Sequence, residues 1–324
     1  MVLNTLLKDP LLFYLVSFSH IIFSIVSFPG VLIFGSPYGS LGRNVKSMLI
    51  NGKLAWIVME LVSPVVFSLS FFTFIDGNVT LNASSILLFS MWMLHYINRS
   101  IIYPLRQPKR AKMHVSVMLM ACFFNLINGY INGRYARFRT LLTTQKSYNE
   151  ATQLISSMSG LSQNAQFSTM FENWFLRFVL WFNSVNNVLA SIKFEGLLNF
   201  RSFYLSKQLY NLFGDEYLRV VFGAVIFLLG FWINIFHDEI LIEIQRSKVK
   251  SQSGLFKYIS CPHYLGEMIE WIGYSIACGG LPGWLFVVST ASNLIPRAYY
   301  LHKWYLKTFP QYPQNKNVLI PYIF

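Results

Sequence analysis

Charge is what this chain has least of. Only 12% of its 324 residues are Asp, Glu, Lys or Arg, against about 25% in an ordinary soluble domain. That shortfall excludes a water-soluble globular class before any motif is read. Acidic residues are the scarcer kind: 13 Asp+Glu against 26 Lys+Arg leave a formal charge of +13. Cysteine is also rare. Cys122, Cys261 and Cys278 form no CxxC pair, so neither a disulfide framework nor a zinc site is expected. The six histidines are scattered with no HExxH spacing, which argues against a metal site. No GxGxxG opens a helix and no GxxxxGK[ST] loop exists. Any nucleotide therefore has to be held by helix side chains and basic loops.

Apolar residues are abundant: 54% of the chain is hydrophobic and 17% aromatic. A spanning helix needs about 20 mostly apolar residues. Runs of that kind lie at 11–35, 53–75, 85–105, 113–133, 218–244, 264–280 and 284–303. The first begins near Pro10 and is too long for a signal-peptide core of roughly 7–15 residues, so it reads as a retained signal-anchor helix. An eighth run, 171–192, carries Glu172, Arg177 and several Asn and reads as an interfacial or protein-packed helix. Residues 140–168 are rich in Ser, Thr, Asn and Gln and read as a polar loop. The expected fold is all-α and integral to the membrane: a seven-transmembrane helix bundle with a lumenal insertion.

Basic residues sit between the runs, which fits cytoplasmic loops better than nucleic-acid binding. The 36–52 loop has Arg43 and Lys46. The 106–112 loop has Arg106, Lys109, Arg110 and Lys112, and the 245–263 loop has Arg246, Lys248, Lys250 and Lys257. The 76–84 loop and the 281–283 turn have none, and the tail has Lys307 and Lys316. This alternation predicts a lumenal N-terminus and a cytosolic C-terminus. Sequons at Asn78 and Asn82 fall in a loop assigned to the lumen.

Ionisable and amide side chains inside apolar runs carry the functional signal. Each charge costs about 2.5–3.5 kcal/mol at a helix centre and needs a partner or a polar cavity. Glu60 lies in WIVMELV, and His95, Tyr96 and Arg99 in MLHYINRS. Asn128 lies in FFNLINGYING, and Asn234, His237 and Asp238 in GFWINIFHDEIL. Glu267 and Glu270 lie in HYLGEMIEWIGY, and Arg297 and Tyr305 in IPRAYYLHKWY. Helical spacing puts Asn234 with Asp238, Tyr96 with Arg99, Arg99 with Tyr103, and His263 with Glu267 on shared faces. Glu270, beside Trp271, has a structural reading open to it. The residues together predict one polar, cation-rich cavity opening toward the cytosol.

The run GLFKYISCPHYLGEMIEWIGY (254–274), followed by PRAYYLHKWYLKTFPQYPQNKNVLIPYIF (296–324), resembles the steroid 5α-reductase family. SPYG (36–39), LAWIVMELVSP (54–64), LHYINRSIIYPL (94–105), NGYINGRY (128–135) and INIFHDEIL (233–241) extend the likeness upstream in order. The departures are His263, which leans toward the polyprenol-reductase branch, Leu301, where the family has His, Arg134 within NGYINGRY, and the lack of an Arg early in the fourth helix where the family has a cofactor contact. The resemblance implies an NADPH-dependent oxidoreductase of the endoplasmic reticulum membrane. It implies reduction of the C=C bond of a 3-oxo-Δ4-steroid or similar lipid enone, with polyprenal or trans-2-enoyl-CoA as the alternative substrate. By match, Glu60 and Tyr96 are catalytic at the substrate carbonyl. Arg99, Tyr103, Arg110, Asn234, Asp238, Arg246, His263, Glu267, Arg297 and Tyr305 are cofactor contacts. The expected partners are the lipid or steroid substrate and membrane lipids, with no nucleic acid and no metal, and the chain is expected to be a monomer. It divides into 1–139 with the first four helices, an inserted segment 140–217, and a reductase region 218–324 with the last three.

Overall fold

The computed structural model describes residues 10–34, 48–73, 81–142, 215–247 and 253–323. The polar loop at 140–168, the eighth run at 171–192 and nearly all of the expected insertion lie outside these residues. Among the described residues the protein is almost wholly helical. In chain order the elements are α1 (Pro10–Phe34), β1 (Leu49–Ile50), α2 (Gly52–Thr73) and α3 (Ala83–Ile97). A π turn (Asn98–Ile102) joins α3 to α4 (Tyr103–Arg106). Then come β2 (Met113–His114), α5 (Val115–Leu142), α6 (Asp215–Ser247), α7 (Pro262–Cys278) and α8 (Leu281–Thr308). Counting Ala83–Arg106 as one run, seven helical stretches among the described residues overlap the seven apolar runs.

Four of them are long and apolar enough to cross a bilayer: those containing Leu15–Ile33, Gly52–Thr73, Val115–Arg137 and Tyr217–Arg246. The others differ for physical reasons. At 17 residues α7 is short, and most of its positions, including His263, Glu267 and Glu270, are buried against protein. A helix enclosed by neighbours does not need a lipid-compatible surface. Helix α8 carries Arg297, His302, Lys303 and Lys307 along one length.

Two helix pairs form the frame. The strands β1 and β2 pair antiparallel, with Leu49 opposite His114 and Ile50 opposite Met113. This clip starts α2 and α5 from one end. The two then run parallel in constant register: Asn125 Nδ2 donates to Met59 O at 2.7 Å, Gly129 lies on Ser63, and Gly133 lies on Phe67. A Cβ at Gly133 would stand 2.4 Å from Phe67 O, so this GxxxG spacing lets the backbones touch.

Helices α6 and α7 form the second pair, antiparallel. Gly230 meets Gly266 and Glu270, and Gly223 meets Gly273 and Ala277. A Cβ at Gly273 would stand 2.2 Å from Phe227 N. Between the pairs runs α3, whose Trp92 is buried among Phe67, Phe71, Trp271, Tyr274 and Phe286.

The C-terminal tail is clasped to the segment before α7. Ser260 N donates to Asn317 O (3.0 Å) and Cys261 N to Val318 O (3.1 Å). Ser260 Oγ bonds both His302 Nδ1 and Tyr312 Oη at 2.7 Å. Burial pushes the Tyr312 phenol up to about 12, so it remains neutral through the physiological range.

Candidate active site

The site is organised by an irregularity in one helix. Pro104 has no N–H, so the α-helical bond to Ser100 O cannot form. The run widens instead, and Tyr103 N–H bonds Asn98 O across the π turn. Such turns offset the helix faces on either side and recur at functional sites. Here Tyr96 lies just before the turn and Arg99 within it.

Tyr96 is 2% exposed. Its hydroxyl faces Ser63 on α2 and Asn128 on α5, and Glu60, one turn before Pro64, lies within electrostatic range. Pro64 also cannot donate to Glu60 O, which loosens α2 at that residue. Glu60 is in turn within range of Arg99, Glu267, His95 and Arg110.

Arg99 points the other way, toward α6 and α7. Its guanidinium lies 3.3 Å from Glu267 Oε2 and 3.7 Å from Asp238 Oδ2. The Tyr103 hydroxyl faces the same Asp238. Arg110 sits 3.5 Å from the Trp56 ring centroid and donates to Gln107 Oε1 at 2.6 Å. Arg297 Nε donates to Tyr264 Oη at 2.6 Å, and both Arg110 and His263 feel its charge.

Nine of the predicted residues therefore converge: Glu60, Tyr96, Arg99, Tyr103, Arg110, Asp238, His263, Glu267 and Arg297. Asn234 borders them as a brace, donating Nδ2 to His263 O at 2.9 Å. Tyr305 stands at the edge, stacked on Tyr312 with centroids 5.3 Å apart. Arg246 lies apart: it is exposed, and Nη2 donates to Arg106 O at 2.8 Å.

The donor set suits a dinucleotide. Arg110 bonds a neutral amide and lies on an indole, with Glu60 and Asp238 acting on it only at longer range, an arrangement open to a phosphate. Asp238 Oδ1 and His263 Nδ1 are buried without a hydrogen-bond partner among the described residues, and such atoms call for polar ligand groups. No cluster of three or more His, Cys, Asp or Glu suited to a metal occurs among the described residues.

Three features escaped the sequence reading. Trp56 donates Nε1 to Arg99 O at 3.0 Å and carries Arg99 at 4.8 Å as well as Arg110. It sits one turn before Glu60, so the spacing was available. His95 Nδ1 meets Glu270 Oε1 at 2.8 Å, with side chains 4% and 0% exposed. Glu270 thus has a buried partner 175 residues away, which local spacing could not supply. On α1, His20 Nε2 bonds Ser289 Oγ at 2.7 Å, and Ser17, His20 and Ser24 form a buried polar stripe.

Comparison with known proteins points to one group of enzymes. The sequence model of the 3-oxo-5-alpha-steroid 4-dehydrogenase family matches residues 180–324. The chain is 29% identical to a steroid 5-alpha-reductase of Arabidopsis thaliana over 300 residues, 89% of this chain and 88% of that protein. It is 26% identical to 3-oxo-5-alpha-steroid 4-dehydrogenase 1 of Bos taurus over 297 residues, again 89% and 88%. Over 111 residues it is 41% identical to 3-oxo-5-alpha-steroid 4-dehydrogenase 2 of Homo sapiens, covering 33% of this chain and 44% of that one. With residues 180–324 on the family pattern and relatives similar along most of its length, this chain is an oxidoreductase similar to the steroid 5α-reductases.

Proposed function

We propose that the protein reduces the C=C bond of a 3-oxo-Δ4-steroid or a similar lipid enone with NADPH. The observation that carries this is the division at the π turn: Tyr96 faces α2 and α5 while Arg99 faces α6 and α7. A cofactor cluster and a carbonyl donor are thereby set side by side.

NADPH supplies the hydride that adds to the enone β-carbon. The protein's task is position and field. With NADPH bound, Arg110 and Arg297 would neutralise phosphate charge, while Asp238, Glu267 and Asn234 would meet amide and hydroxyl groups of the nucleotide. As the β-carbon gains its hydride, negative charge develops on the carbonyl oxygen. The Tyr96 hydroxyl donates to that oxygen, and in a dry surrounding such a bond is worth far more than in water. Glu60 orients the phenol. Trp92, Trp271 and Tyr274, all buried beside Tyr96, keep water out. A proton taken from solvent then adds to the α-carbon of the enolate and completes the reduction.

The same reading places the chain in the endoplasmic reticulum membrane as a monomer with seven spans. Its N-terminus and the 140–217 insertion are lumenal and its C-terminus is cytosolic. The alternating loop charge and the match of seven helical stretches to seven apolar runs support this. His263, whose motif raised a polyprenal substrate, sits among Arg99 and Arg297. Its identity therefore bears on the cofactor end more than on the choice of lipid.

The test is a substrate panel. Membranes carrying the protein are given NADPH with a Δ4-3-ketosteroid, a polyprenal or a trans-2-enoyl-CoA, and products are identified by mass. The 5α-reduced steroid is expected. Turnover of another lipid with none of the steroid would reassign the substrate.

A further inference from the structure

A phenol that stabilises a carbonyl oxygen has a single proton to give. Its own oxygen must then be fed by another donor, which stops the hydroxyl from rotating away and strengthens the bond it makes. The α2–α5 interface supplies such a donor.

Asn125, Asn128 and Asn132 are all buried on α5. Asn125 is spent on Met59 O. Asn132 Nδ2 donates to the Asn128 backbone carbonyl at 3.2 Å and to Asn128 Oδ1 at 2.9 Å. A backbone carbonyl only accepts, so the Asn132 group that faces it is its NH2 end. The Asn128 atom sharing that NH2 must therefore be oxygen. This leaves Asn128 Nδ2 as the outward end of a fixed amide. It is buried without a hydrogen-bond partner among the described residues, and Ser63 Oγ is in the same condition. Both residues face the Tyr96 hydroxyl.

We infer that Asn128 is a positioning residue for Tyr96. Its Nδ2–H donates to the Tyr96 oxygen, Asn132 locks the amide in that orientation, and the phenol proton is thereby aimed at the substrate carbonyl. Asn128 takes no part in hydride or proton transfer. The inference rests on the reading of Tyr96 as the carbonyl donor.

The experiment is a double-mutant cycle in the full-length protein, with NADPH affinity and steroid turnover measured for each variant. Asn128→Ala is expected to lower kcat by about 10- to 100-fold, a fraction of the loss of a direct oxyanion donor. Steroid KM and NADPH affinity should stay within about twofold, well under the tenfold step of 1.4 kcal/mol. In a Tyr96→Phe background Asn128→Ala should lower the residual rate no further. Asn132→Leu, which frees the amide to turn, should lower kcat severalfold. It serves as the second probe if Asn128→Ala does not fold.

An Asn128→Ala protein that binds NADPH and turns over like the wild type overturns the inference. So does an equal loss with and without Tyr96, which marks a merely structural residue. If Asn128→Ala does not fold, wild-type turnover by Asn132→Leu overturns it. Tyr96→Phe at full activity removes the parent reading and this inference with it. An inactive Tyr96→Phe beside unaffected asparagine variants removes only the inference.

Discussion

The two glycine-packed helix pairs are built alike and equipped differently. In both, missing Cβ atoms let backbones touch, at Gly133 on Phe67 and at Gly273 on Phe227. The α6–α7 pair turns acids toward α3: Asp238, Glu267 and Glu270. The α2–α5 pair turns mainly amides and hydroxyls toward it, Ser63, Asn128 and Asn132, with Glu60 as its acid. Close packing of this kind fixes backbones to a fraction of an ångström. On the proposed function, the difference teaches that one scaffold device can serve two tasks, holding a charged cofactor and aiming a neutral donor, with one helix shared between them.

The comparison breaks most visibly at the packing itself. Gly273→Leu should abolish folding, since its first added atom already meets Phe227 N at 2.2 Å. The cost lies beyond the roughly 1–3 kcal/mol of ordinary overpacking. Recovery of a monodisperse detergent-solubilised protein would show that the helices can part.

Next in size is the buried pair that joins α3 to α7. Glu270→Leu leaves the buried His95 without its hydrogen-bond partner and should lower stability by about 1–3 kcal/mol, read as a drop in melting temperature. Replacing His95 by Leu as well should restore part of that loss. If the double variant is as unstable as the single, the pair is not what holds α3.

Trp56→Leu tests the link between the pairs, because its ring on α2 carries Arg110 and Arg99. Loss of a cation–π contact is worth about 0.5–2 kcal/mol, so NADPH affinity should fall several-fold while the steroid KM holds. A change in steroid KM alone would move Trp56 to the substrate side.

The smallest effect is expected outside both pairs. Tyr312→Phe removes one hydrogen bond to Ser260, worth about 1 kcal/mol. Melting should shift by a few degrees with turnover retained. Lost turnover would tie the tail clasp to the reaction.

Much of this organisation was legible in the sequence because membrane helices make polar residues conspicuous. Glu60, Tyr96, Arg99, Asp238 and Glu267 stood out against apolar runs, and their helical spacing put them on inward faces. Pairings across the bundle were not legible. His95 finds Glu270 only through the tertiary fold, and although Trp56 shares the face of Glu60, the fold alone brings two arginines onto its ring. The family resemblance makes Arg246 a cofactor contact. It instead bonds the Arg106 carbonyl, since α6 carries it past the cluster. Helix ends also outran the apolar runs. Helix α5 continues to Leu142 rather than stopping near 133, because Arg134 and Arg137 are themselves buried in the protein.

The most direct test of the divided site is an NADPH titration of Asp238→Asn and Glu60→Gln side by side. If α6–α7 holds the cofactor and α2–α5 serves the substrate, Asp238→Asn should weaken NADPH by about tenfold, or roughly 1.4 kcal/mol. Glu60→Gln should bind it as the wild type does while losing turnover. Equal weakening in both, or weakening in Glu60→Gln alone, would contradict the division.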